Sequence, residues 1–316
     1  MYELIQVSDT CFYVQSPAKI GIVLTDTDRV CLIDSGNDKD AGKKVKRILD
    51  SNGWTLEAVY NTHSHADHIG GNQYLQKQTG CRIYAPGIER DFTEHPLLEP
   101  SYLYGANPPK ELRHKFLMAQ GSAALPLTSE CLPSGLQMIP LPGHSWDMMG
   151  FRSSDRVVYL ADCLSSRETL DKYQISFLVD VQAYLETLEE VCHMEADLFI
   201  PSHADPTDDI VPLAQYNIHK VHEIADTIVE ICSRPVSFES ILREIFDRFH
   251  LTMNYEQHAL IGSTVRSYLT WLKEQGRLQS FFEDNTMMWN SQVYTCILPR
   301  KGVEQPGTIL GRLTAG

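Results

Sequence analysis

Short apolar runs that end in Asp, His or Gly recur through the first two-thirds of the chain, and several are followed by segments with helical periodicity. Such runs occupy residues 30–33, 58–60, 136–141, 157–161 and 198–200. Run followed by helix, repeated, is the pattern of an α/β architecture. Asp34-Ser35-Gly36 follows the first run, and the spacing then predicts a helix over 38–51 that Gly53 stops. Between the last two runs, Val181, Tyr184, Leu185, Leu188 and Val191 recur at helical intervals. Residues 87–135 break the rhythm, because Pro96, Pro100, Pro108, Pro109, Pro126 and Pro133 interrupt them and no strand is obvious. An insertion of this length is often functional. Its apolar and aromatic content (Phe92, Tyr102, Leu103, Tyr104, Phe116) suits a lid over a pocket, with a helical excursion packed on the surface as the alternative.

The pattern changes after about residue 213. Ile218, Val221, Ile224, Ile228 and Ile231 form one helical stripe. Ser237 can cap a second helix carrying Ile241, Ile245 and Phe249, and Asn254 a third that runs through Val265, Leu269 and Leu272 to Gly276. Two short apolar segments, 278–282 and 287–289, flank Glu283-Asp284-Asn285-Thr286 as strand, turn and strand. Three helices and a hairpin in this order look like a winged helix. The expected organisation is therefore a large domain over 1–213 with the 87–135 insertion, a winged-helix-like domain over 214–291, and a tail over 292–316.

Composition narrows the partners. The chain has 316 residues, with 27 Lys and Arg against 41 Asp and Glu, a formal charge of −14. Its average surface field repels phosphate backbones and anionic membranes. The segment 214–291 carries seven Lys and Arg against ten Asp and Glu, where a phosphate-binding helix should be basic. Nucleic acid is thus a disfavoured partner, and a role in dimerisation or in closing a substrate cleft fits that segment better. Glu3, Gln6 and Asp9 interrupt the apolar residues of the amino terminus, no basic run precedes them, and no stretch approaches the ~20 apolar residues of a membrane span. Eight cysteines are spread singly without a C-x-x-C pair, which argues for reduced thiols in the cytoplasm.

The chemistry concentrates in His63-Ser64-His65-Ala66-Asp67-His68, directly after the 58–60 run. Imidazole and carboxylate are ligands that divalent zinc, iron or manganese accept, and alternate residues at a strand end can converge on one point. Further candidates stand at the ends of other runs: His144 after Leu141-Pro142-Gly143, Asp162 after 157–161, and His203 after Pro201-Ser202. Seven candidate ligands suit two metals, since one catalytic zinc typically takes three protein ligands and keeps a position open for water.

This ordered set, with Asp34 in Leu32-Ile33-Asp34-Ser35-Gly36, resembles the metallo-β-lactamase superfamily over roughly residues 1–213. The resemblance implies a four-layer αββα sandwich with the smaller C-terminal domain appended. It implies that His63, His65 and His144 hold one metal, that Asp67, His68 and His203 hold the other, that Asp162 bridges, and that Asp34 is a supporting acid behind the ligands. Asp162, in Tyr159-Leu160-Ala161-Asp162, matches the glyoxalase II-like hydrolases rather than the antibiotic-hydrolysing branch. The implied activity is that of a binuclear hydrolase, most simply with two zinc ions (iron or manganese being alternatives). A hydroxide held between the metals would attack the carbonyl of a small thioester, ester or lactone, with Asp67 and Asp162 as the catalytic carboxylates, Asp67 orienting the hydroxide or accepting its proton. Other readings of the motif are a phosphodiesterase or endoribonuclease, a mononuclear iron sulfur dioxygenase, and a non-catalytic partner-binding module. The basic residues with which glyoxalase II holds glutathione have no match here. Lys110, Arg113 and Lys115 in the insertion could meet a substrate anion or form a solvated helix face, and Tyr102, Tyr104 and Tyr173 could line a pocket or belong to the core. Ser64 and Ser145 read as small neighbours of ligands.

Overall fold

A computed structural model describes residues 2–291, so the 292–316 tail lies outside the described residues. Alternation of side chains along the strands explains the layers. A seven-stranded sheet runs in order Glu3–Gln6, Cys11–Gln15, Ile20–Leu24, Arg29–Ile33, Thr55–Tyr60, Arg82–Ala85 and Leu125–Pro126. A four-stranded sheet runs in order Leu198–His203, Val157–Ser165, Met149–Ser153 and Leu136–Pro140. On one face of the larger sheet, Tyr13, Val23, Ile33 and Tyr60 meet Phe151, Val157 and Tyr159 of the smaller one. Its opposite face, with Val14, Ile22 and Leu32, packs against Val45 and Leu49 of helix Lys39–Ser51 and Leu75 of helix Asn72–Thr79. Asp38 caps the first of these, accepting hydrogen bonds from the amides of Asp40 and Ala41. The outer face of the smaller sheet, with Val158 and Leu160, packs against helices Val181–Cys192 and Val211–Ile231. Helix, sheet, sheet, helix is the expected αββα order.

The expected strands all form, and several run further than their apolar cores: Asp162 and His203 lie inside strands rather than beyond them. The insertion holds two short helices, Glu89–Glu94 and Leu98–Tyr104, and little sheet. Beyond it, helices Val211–Ile231, Phe238–Arg248 and Tyr255–Glu274 precede a hairpin of Leu278–Glu283 and Thr286–Ser291, which the short strand Val236–Ser237 joins. Ser237 and Asn254 cap the second and third helices. Apolar residues of this C-terminal unit (Ile224, Ile241, Val265, Leu272) belong to the same continuous cluster as Val158 and Leu188. Among the described residues, no helix is long and apolar enough to cross a membrane, and all seven cysteines are free thiols.

Candidate metal centre

Each candidate ligand is delivered by a local irregularity at one edge of the two sheets. Strand Thr55–Tyr60 ends just before Asn61 and Thr62, and His63 and then His65, whose backbone is extended, follow before Ala66–Ile69 turns into a helix that carries Asp67 and His68. That helix meets the Asp34-Ser35-Gly36 loop closely: the amide and hydroxyl of Ser35 both donate to the carbonyl of His68, at 2.8 and 3.1 Å. A Cβ at Gly71 would collide with the Ser35 carbonyl, which is why the helix is followed by glycine there. His144 follows Gly143, whose φ of +120° suits glycine and whose carbonyl accepts from the amides of Val179 and Asp180. Asp162 is aimed by a bulge: the register against Leu198–His203 shifts on both sides of Ala161, and Ala161 itself has φ +51°.

The seven side chains meet in two groups. His63, His65 and His144 form one, and Asp67, His68, Asp162 and His203 the other, each with its ligand atoms within 4.8 Å of one another. In the first, Nδ1 of His65 lies 3.0 Å from Nε2 of His63 and 3.0 Å from Nε2 of His144. Three nitrogens converging this way are a few tenths of an ångström inside the about 3.3 Å spacing of a tetrahedral zinc with Zn–N bonds near 2.05 Å. In the second, Nε2 of His68 lies 3.1 Å from Oδ1 of Asp162, yet both buried atoms lack a hydrogen bond, because they are aimed at a shared point rather than at each other. Oδ2 of Asp162 lies 3.2 Å from Nε2 of His203 and 3.6 Å from Nε2 of His144, so this carboxylate touches both groups. Oδ2 of Asp67 lies 3.1 Å from Nε2 of His203. The donor set fits a pair of divalent cations.

The outward ring nitrogens are fixed from behind, which decides the tautomers. His68 donates through Nδ1 to Oδ2 of Asp34 (2.8 Å). The Thr62 hydroxyl donates to the same oxygen (2.8 Å) and so accepts from Nδ1 of His63 (2.9 Å). His144 and His203 donate through Nδ1 to the carbonyls of Phe177 and Pro17, each at 3.0 Å. Asp34, buried and with φ +64°, therefore supports one imidazole in each group.

Electrostatics separate the groups. Burial and the neighbouring imidazoles hold His63 well below the usual histidine range. Burial brings His65 and His144 down to about 4. Asp162, with Asp67 adding to it, lifts His203 to about 10. Burial opposes charge on His68, but Asp162, Asp67 and Asp34 together raise it well above the usual range. Asp67 and Asp162 are correspondingly held below the ordinary carboxylate range, where His68 and His203 outweigh burial.

Two buried acids complete the surroundings, and nothing in the sequence pattern singled them out. Glu89, 2% exposed, accepts from the amide and hydroxyl of Ser64 (3.0 and 2.6 Å), and from the Ser145 hydroxyl (2.6 Å) and the Asp147 amide (3.2 Å). One carboxyl group thus clasps the loops that bear His65 and His144, and the two serines are its donors. Glu99 lies with Oε1 3.7 Å from Nε2 of His65, and burial with the nearby Glu89 pushes it up to about 8. Both come from the short helices of the insertion, which therefore reaches the centre. Of its basic residues, Lys115 pairs with Asp38 at 3.1 Å, and none of Lys110, Arg113 and Lys115 lines the cavities at the ligands. Tyr173 lines the cavity beside His144 and His203, Tyr102 lines a small cavity with His65, Glu89 and Glu99 as well as a neighbouring groove, and Tyr104 lines that groove.

The family model for the metallo-β-lactamase superfamily matches residues 20–203, well over half of the chain. The chain belongs to this superfamily. Similar solved structures include a beta-lactamase domain protein from Burkholderia ambifaria (17% identical, TM-score 0.70, covering 92% of this chain and 93% of that one). A metallo-beta-lactamase family protein from Thermus thermophilus is 14% identical with a TM-score of 0.68, covering 92% and 98%. At these identities the likeness establishes the superfamily fold alone. Curated relatives named hydroxyacylglutathione hydrolase match over short segments: that of Thiobacillus denitrificans is 55% identical over 46 residues, 15% of this chain and 18% of the relative. That of Nitrobacter hamburgensis is 41% identical over 68 residues, 21% and 25%. The matched segment thus spans a quarter or less of each of these relatives.

Proposed function

We propose that the chain is a binuclear metal-dependent hydrolase of small carboxylic esters, thioesters or lactones. The observation that carries the reading is Asp162, whose two oxygens face His68, His203 and His144 and so join the two ligand groups. His63, His65 and His144 would hold one ion, and Asp67, His68 and His203 the other, with Asp162 shared; this borderline nitrogen and oxygen set favours zinc. When bound, two such ions supply Lewis acidity for an acyl oxygen and lower the pKa of water towards ~7. The names of the short-segment relatives support hydrolysis of an acyl bond.

The chain's own groups have defined tasks in that reaction. Asp34 and the Phe177 and Pro17 carbonyls keep the imidazole faces oriented. Asp67, half-buried, would accept the proton of the attacking water, and Phe177 and Leu260 line the cavity beside it. Net, water adds its oxygen to the acyl carbon as the C–O or C–S bond breaks, and its proton leaves with the alkoxide or thiolate.

Elemental analysis and a side-by-side assay of thioesters, lactones and phosphodiesters test this reading. The expected result is close to two zinc ions per chain and turnover of carboxylic esters. One iron per chain with oxygen uptake, or turnover of phosphodiesters alone, would replace it.

A further inference from the structure

A cavity of about 240 Å³ opens beside the ligand atoms of His144, Asp162 and His203. Its far wall is aliphatic: Leu164, Leu170 and Ile175 from one side, Leu260 and Ile261 of helix Tyr255–Glu274 from the other. A second lobe of about 170 Å³ lies on the His65 and Asp67 side, walled by Phe116 and Leu117 of the insertion; Phe177 and Leu260 line both lobes. Among the described residues, neither lobe is lined by Lys or Arg, while Asp162, Asp67 and Glu99 contribute carboxyl groups.

Several hydroxyls of the larger lobe are already hydrogen-bonded within the protein. Ser165 and Ser176 share a hydrogen bond of 2.9 Å, the Thr169 hydroxyl accepts from Ser166 (3.1 Å), the Thr264 hydroxyl accepts from the Leu178 amide (3.2 Å), and the Tyr184 hydroxyl donates to Asn217 (3.1 Å). What they present to the cavity is mainly carbon. Away from the ligand end, an anionic ligand portion would lose its hydration against the aliphatic wall with no Lys or Arg to compensate, a cost that grows with burial. An apolar chain gains by the same burial.

We infer that this cavity is an acyl pocket for neutral, apolar acyl groups, and that helix Tyr255–Glu274, through Gln257, Leu260 and Ile261, sets its depth and charge preference. The inference rests on the hydrolase reading and names its substrate class: esters or thioesters of uncharged aliphatic acids, in place of the polar hydroxyacyl groups, carried on glutathione, for which the short-segment relatives are named.

The zinc-loaded full chain is assayed with p-nitrophenyl acetate, butyrate, hexanoate and octanoate, with monosuccinyl p-nitrophenyl ester, and with S-lactoylglutathione. Binding of octanoate and of succinate is followed by calorimetry. The expected result is kcat/KM rising about threefold to fourfold per methylene until the chain meets the wall, with the succinyl ester and S-lactoylglutathione at least tenfold poorer than the octanoyl ester, and octanoate binding at least tenfold tighter than succinate. L260W should lower the octanoyl-to-acetyl ratio at least tenfold. Gln257→Arg, at a half-buried rim position, should raise the succinyl-to-octanoyl ratio instead. A flat chain-length profile, a preference for S-lactoylglutathione, or ratios unmoved by both variants would overturn the pocket while leaving a hydrolase. Tight octanoate binding with no ester hydrolysed would overturn the hydrolase and leave the pocket.

Discussion

The two halves of the ligand cluster are built from similar residues and behave as opposites. His63, His65 and His144 are uncharged, with His65 and His144 held at about 4, and their facing nitrogens form a cradle of lone pairs. His68 and His203 sit among Asp67, Asp162 and Asp34, which raise both, so this half carries protons where it would carry a metal. Burial without a counter-charge lowers an imidazole, and burial beside carboxylates raises it. A ligand set can thus be preformed in two ways, by exclusion of charge or by internal neutralisation.

The largest expected effect comes from the residue that links the halves. Asp162→Ala should reduce kcat/KM on the order of 10³-fold or more and leave the chain with one ion; equal metal content with unimpaired turnover would dissolve the link between the halves. The next effect is a pH dependence. A metal entering the Asp-containing half must displace protons from His203, at about 10, and from His68, so its affinity should rise up to about tenfold per pH unit for each proton released between roughly pH 6 and 9. His65 and His144, at about 4, are already unprotonated there, so affinity at the three-histidine half should stay flat over that window and weaken only as pH falls towards about 4. Competition titration with a metal-sensitive chelator dye across pH measures both slopes. A smaller effect is expected behind the ligands: Glu89→Gln should weaken retention of the ion at the three-histidine half about 10- to 100-fold with the other half little changed, and an equal loss at both would mean that Glu89 only stabilises the fold.

Much of this arrangement was legible in the residues themselves. The ligands cluster at run ends because strand termini are where a chain can turn side chains towards a common edge; the five short runs with helical intervals predict an α/β architecture, and the layered sandwich itself follows from the family resemblance of the ligand motifs. Ser237 and Asn254 announced their helices through capping. Glu89 and Glu99 were not legible: each lies in a proline-broken segment, and its partners, Ser64 and Ser145 for one and His65 for the other, are tens of residues away with no spacing rule to connect them. The bulge at Ala161 escaped for the same reason, since a left-handed alanine within a nine-residue strand contradicts its own propensity and is imposed by tertiary contacts. The serines flanking the ligands read as mere spacers because a hydroxyl's partner is visible only once the fold is closed.

The apolar cluster that runs unbroken from Val158 and Leu188 to Ile241 and Leu272 has a further consequence. The junction near residue 213 marks a change of sequence rhythm but not a seam in the molecule. Severing it would strip the outer face of the smaller sheet of part of its cover and take away Leu260 and Ile261 as well. Architecture and site are thus inherited together: whatever shapes the packing of the last three helices also reshapes the cavity beside the ligands.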